Sequence, residues 1–178
     1  MGIIIGIIVA VVIVLFIIGR VNSRNRGTVN ISDEQLELLR GPYEHLTKEQ
    51  KWSIYNLYGG FAQLCRGSVT KYAQVLGQMR LQAKILDIEP RDADNYFRTK
   101  GIEVGMNEIK KIKDRAVLDS MLITSFGMVG MASGKINGMD SQYVAQELFI
   151  RQFGQFGYTE SDIENTIKKM SALMNQFG

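Results

Sequence analysis

His45 and Cys65 are each the only residue of their type in a chain of 178 residues. A single histidine excludes a two-histidine metal motif, and a single cysteine excludes an intramolecular disulfide or a multi-cysteine zinc site. His45 sits in a polar Tyr-Glu-His-Leu-Thr stretch with no visible partner. Cys65 falls on an apolar stripe with no candidate base close in sequence, which is the setting of a buried, inert thiol and not of a nucleophile. Asp92 and Asp94 have the spacing of a metal–nucleotide pair. They lack a phosphate-cradling glycine loop, and after Pro90 they fall in the expected first turn of a helix, where the dipole favours acids. Asp140 and Glu147 are the remaining pair. With carbonyls of the Gly134–Gly138 turn they would supply part of the roughly six oxygens a hard divalent cation takes. The plainer reading of Asp140 is a first-turn acid favoured by the helix dipole. No phosphate loop, GxSxG or HExxH occurs. The expectation is a protein that is not an enzyme and needs no cofactor. A divalent metal at Asp140 and Glu147 is the alternative, and an enzyme with an unrecognised site stands third.

Charge placement narrows the partner class. The chain holds 21 basic and 18 acidic residues, a net charge of +3. Arg20, Arg24 and Arg26 are the only charged residues before Asp33, and without them the remainder is neutral. A nucleic-acid binder concentrates its excess on a folded face. Here the excess is a short cluster beside an apolar run, so no nucleic-acid partner is expected. Lys110, Lys111, Lys113 and Arg115 form a basic face near Asp114 and Asp119. It reads either as solvated or as a contact for anionic headgroups.

The apolar run is Gly2 to Gly19, GIIIGIIVAVVIVLFIIG, eighteen residues without a polar side chain. As a helix it spans about 27 Å, close to the hydrocarbon thickness, and within lipid a single segment satisfies its backbone only as a helix. No basic residue precedes it and no small-residue cleavage site follows, which favours an anchor over a signal peptide. Arg20, Arg24 and Arg26 flank its C-terminal side. The positive-inside rule then predicts a single-pass membrane protein, N-terminus outside and domain cytoplasmic. The lone cysteine agrees with a reducing compartment. Gly2 and Gly6 have the GxxxG spacing that permits a homodimer through the anchor, or are small residues near a helix end. Gly6 breaks the myristoylation pattern. Residues 20–31 read as a basic linker.

The remaining residues, 32–178, predict an all-α bundle of about seven helices. Ser32 with Gln35 and Thr47 with Gln50 have capping-box spacing, Thr159 with Asp162 is a relative of it, and Pro90 suits a first turn. Gly41-Pro42, Gly67, Gly101, Gly134, Gly138 and Gly157 read as stops, with Gly59-Gly60 an internal weak point. Apolar stripes at helical spacing run through Ile54, Leu57, Tyr58, Phe61, Leu64 and Cys65; Val75, Met79, Ala83 and Leu86; Val144, Leu148, Phe149, Phe153 and Phe156; and Ile163, Ile167, Met170 and Met174. No run alternates cleanly enough for a strand. Met121 to Ala132 is apolar but too short for a second span, and predicts a central buried helix approached closely at its glycines.

Two segments share one pattern: apolar helix, glycine turn, second helix, short turn, third helix. The first turn is Leu64-Cys65-Arg66-Gly67-Ser68-Val69-Thr70 and the second Met131-Ala132-Ser133-Gly134-Lys135-Ile136-Asn137. The second turn resembles the A-D-G-x-[IVL]-x-x-x-E turn of the TerB-like family, named for tellurite-resistance protein B. Gly157-Tyr158-Thr159-Glu160-Ser161-Asp162 is similar to the next helix start of that family. The layout of anchor, basic linker and helical domain resembles the N-terminal half of the DjlA-type, membrane-anchored DnaJ-like co-chaperones. The resemblance implies a TerB-like bundle of two helical repeats, and a cytoplasmic protein-interaction or scaffold module acting in envelope or metal stress. It implies an interaction surface in a groove between the repeats, at Ser133, Gly134, Lys135, Asn137 and Asp140, and an unknown protein partner beside the lipid bilayer. Two departures matter. No His-Pro-Asp tripeptide exists, so Hsp70 stimulation by that route is not implied. The acid of the family turn is Ser133 here, and Arg66 and Lys71 stand at the matching places of the first repeat, so a metal is implied only weakly.

Overall fold

Capping residues set the helix starts. The computed structural model of the chain describes residues 32–166 and 168. Ser32 and Thr47 each accept from the backbone of the residue three on, Gln35 and Gln50, whose side chains reach back to the cap backbone. These boxes open α1 (Asp33–Arg40) and α2 (Lys48–Gln63). Ser68 caps α3 (Val69–Leu86), Pro90 opens α4 (Pro90–Lys100), and Asp114 caps α6 (Arg115–Val129). Between the last two lies α5 (Ile102–Lys110), separated from α4 by Gly101 at φ 82°. Asp140 caps α7 (Ser141–Gln155), and residues 160–166 form α8, opened by Thr159 and Asp162. The one extended element among the described residues is a hairpin of β1 (Lys135–Ile136) and β2 (Met139–Asp140). The described residues are mostly helical, and among them helix, turn, helix, turn, helix occurs twice, as α2–α3–α4 and α6–α7–α8, with α5 between.

The helix α2 is the centre, packed by α3, α4, α5 and α6. Ile54 and Tyr58 of α2 are fully buried, as are Val75 and Leu86 of α3, Met121, Leu122 and Met128 of α6 and Phe153 of α7. Each such side chain contributes about 1.5–3 kcal/mol by leaving water. The rings of Phe149 and Phe153 lie 4.8 Å apart, tilted to one another, and Tyr158 meets Phe153 edge-on at 5.7 Å. The stripes through α2, α3 and α7 therefore face the core, with Leu64, Val144 and Leu148 half-buried at its margin.

Two expectations change in the structure. Gly59 and Gly60 do not interrupt α2, because the buried residues on both sides hold the helix together. The stretch from Met121 is core, but its Gly130 makes no close approach to another helix: a side chain there would meet only the carbonyls of Phe126 and Gly127 in its own helix. The anchor with Gly2, Gly6, Arg20, Arg24 and Arg26, the linker 20–31, and Ile167, Met170 and Met174 lie outside the described residues. No helix among the described residues is long and apolar enough to cross a membrane.

Candidate functional site

Two glycine turns meet backbone to backbone. Leu64 to Ser68 turns α2 into α3, and Met131 to Gly134 carries α6 toward the hairpin. The Ser133 N–H donates to the Leu64 carbonyl at 3.2 Å and its hydroxyl to the Cys65 carbonyl at 3.4 Å. Gly67 permits this, because a Cβ there would stand 2.2 Å from the Ser133 oxygen. Gly134 has φ 90°, and its own Cβ would lie 3.0 Å from the Gly67 Cα. Cys65 is sealed beneath the junction, with its Sγ 3.5 Å from the Met128 carbonyl oxygen. Burial pushes its thiol up to about 11, against a small opposing effect of the Lys71 charge.

From this junction the hairpin protrudes. Asn137 at φ 50° and Gly138 at φ 84° form a two-residue loop of the type in which both residues are left-handed, and the Asn-Gly pair suits it. Lys135 pairs with Asp140 and Ile136 with Met139. Ser141 N–H donates to the Gly134 carbonyl at 3.0 Å, tying α7 to the turn. Asp140 is thus the N-cap and not a first-turn residue: its Oδ1 accepts from the N–H groups of Gln142 at 2.8 Å and Tyr143 at 3.3 Å. Gly134, Lys135, Asn137 and Asp140 are exposed and Ser133 is half-buried, so the five surface residues named by sequence form one edge. Glu147 is exposed two helical turns further on, about 10 Å along the axis from Asp140. Among the described residues no three His, Cys, Asp or Glu side chains gather in one place.

A groove of about 140 Å³ lies elsewhere, between α2, α4, α5 and α7. Leu57, Gly60 and Leu64 of α2 line it, with Phe97, Gly105, Met106, Ile109, Leu148 and Gln152. None of Ser133 to Asp140 lines it, and it contains no titratable side chain. Its polar members are mostly engaged: Ser53 donates to the Glu49 carbonyl and Asn56 to the Ala93 carbonyl, whereas Gln152 Oε1 has no partner among the described residues. Sequence reasoning missed this groove; the small residues Gly60 and Gly105 were its only signal.

The other candidates fall apart in space or engage locally. Asp92 and Asp94 are exposed on the first turns of α4. His45, which showed no partner in sequence, lies 3.6 Å from Asp114. Lys111 pairs with Glu108, Arg115 with Asp119, and Lys113 donates to the Lys110 carbonyl, so the basic face is partly neutralised. No protein-family model, curated protein or solved structure matches the chain.

Proposed function

We propose that this chain is a non-catalytic interaction module: a TerB-like domain of two helical repeats held by a single N-terminal span at a bacterial inner membrane, facing the cytoplasm. Its role is that of a scaffold in envelope or metal stress. The exposed edge at Ser133, Gly134, Lys135, Asn137 and Asp140 is its contact surface. The observation that carries the reading is where the reactive groups are. The groove holds no titratable side chain, Cys65 is buried with a raised pKa, Asp114 and Asp140 cap helices, and Asp162 accepts from the backbone of the cap Thr159. General acid–base or nucleophilic chemistry needs such groups converging on an accessible space. The anchored part of the reading is supported by the charge-free run Gly2 to Gly19 and the arginines that follow it.

Crosslinked affinity purification of the full-length protein from native membranes, beside a chain lacking residues 1–26, tests this. The expected outcome is one defined protein partner retained by both, with the shortened chain released from the membrane fraction. A chain that turns over a small molecule, or that captures nothing specific in either form, overturns the reading.

A further inference from the structure

Of the nine asparagines in the chain, only Asn137 is followed by glycine. Asn56, Asn95 and Asn107 lie inside α2, α4 and α5. There the N–H of the next residue is committed to a carbonyl four positions back. Asn137 and Gly138 instead form the left-handed loop between β1 and β2, and both are exposed. Among the described residues the Gly138 N–H has no backbone acceptor and the Asn137 amide no partner. A Cβ at Gly138 would meet nothing within 4 Å, so that side of the loop is uncrowded. The hairpin has two residues per strand, and of these only Ile136 is half-buried. Few buried contacts hold it shut, so local opening costs little.

We propose that Asn137 is a site of spontaneous covalent modification, its amide converting to aspartate and isoaspartate through attack by the Gly138 nitrogen. The Gly138 N–H gives up its proton and its nitrogen bonds to the Asn137 Cγ. The bond from Cγ to Nδ2 breaks, and the amide leaves as ammonia. Water then opens the cyclic imide at one carbonyl or the other, giving aspartate or isoaspartate. Ring closure requires the peptide between the two residues to rotate out of the turn, which the short, exposed hairpin permits and a helix does not. Glycine favours the step because it puts no Cβ beside the attacking nitrogen and lets the backbone turn freely. The modification is independent of what the edge contacts. Aspartate tolerates the left-handed well, so it keeps the loop while adding a negative charge beside Lys135 and Asp140. Isoaspartate lengthens the backbone between Ile136 and Met139, which their pairing cannot accommodate. An aged chain therefore presents an edge of altered charge and shape.

The test ages the folded full chain at neutral and at mildly alkaline pH, in water carrying heavy oxygen. Cleavage after Lys135 and Arg151 then releases residues 136–151, in which Asn137 is the only asparagine. The expected result is aspartate together with isoaspartate at position 137, each with one heavy oxygen, forming faster at the higher pH. Conversion should exceed that of Asn56, Asn95 and Asn107 in the same sample by about tenfold or more, a ratio that corresponds to roughly 1.4 kcal/mol of local opening. Gly138→Ala should slow conversion even though φ 84° strains the new side chain, because the methyl crowds the attacking nitrogen. Aspartate without isoaspartate would mean direct hydrolysis and overturns the attack by Gly138. Conversion no faster than at the helical asparagines, conversion only after denaturant unfolds the chain, or an unchanged rate in Gly138→Ala also overturns the proposal.

Discussion

Gly67 and Gly134 touch through their backbones, the Cβ position of Gly134 standing 3.0 Å from the Cα of Gly67. The two residues are far apart in sequence, and their contact joins the turn after α2 to the turn after α6. Neither position tolerates a side chain. Gly67→Ala places a methyl 2.2 Å from a carbonyl oxygen that is itself held by the Ser133 hydrogen bonds, so the backbone must move. The expected cost is about 2–4 kcal/mol. Gly60→Ala is the contrast: it is exposed inside α2 with nothing within 4 Å of the new methyl. Removing a flexible residue from a helix interior should stabilise by about 0.5–1 kcal/mol. Denaturant unfolding of the two variants, moving the midpoint in opposite directions, checks both.

Cys65 should be chemically silent in the native state. Its thiol is pushed up to about 11 from an ordinary value of 9.0. At neutral pH it then holds about a hundredth of the usual thiolate, and only the thiolate alkylates. Iodoacetamide should modify Cys65 at the rate of global unfolding, with full reactivity in denaturant. Rapid labelling of the folded protein would show the junction open.

Local features were readable from sequence, and long-range ones were not. Ser32, Thr47 and Thr159 cap helices through residues three positions on, so their spacing alone was enough. The stripe from Ile54 to Cys65 was readable for the same reason, because one helix face repeats within a few residues. The groove is different: it depends on α5 and α7 flanking α2 without closing over Gly60. His45 meets Asp114 across 69 positions, and Gly67 meets Ser133 across 66, separations at which no periodicity operates. The hairpin was half-legible. Asn137-Gly138 is a strong turn signal, but two-residue strands give no alternation to detect.

Asp140 offers a direct test of capping against cation binding. Its Oδ1 holds two backbone N–H groups of α7. Asp140→Ala should cost about 1 kcal/mol, and Asp140→Asn much less, since asparagine caps equally well. Calcium or magnesium should leave the melting temperature of the native chain unchanged. A calcium-dependent rise that Asp140→Asn and Glu147→Gln each abolish would assign the pair to a metal instead.

Tyr158 makes stability depend on alkaline pH. Its hydroxyl donates to Asp119 Oδ1, and the Arg115 guanidinium lies 3.8 Å from the centre of its ring, which joins the start of α8 to α6. Burial first, then the hydrogen bond and charge of Asp119, raise its pKa far above the ordinary 10.0. A folded-state pKa above the unfolded one contributes stability that is complete at neutral pH. That stability is lost as pH climbs past about 10, where the unfolded phenol ionises and the folded one does not. Tyr158→Phe should cost about 1.5 kcal/mol at pH 7, the scale of a hydrogen bond to a charged acceptor. The variant should also lose stability less steeply above pH 10, with the remaining slope left to the buried phenols of Tyr43 and Tyr58, which are raised for the same reason. Thermal unfolding of both proteins across that pH range reads the difference directly, and parallel slopes would place the proton elsewhere.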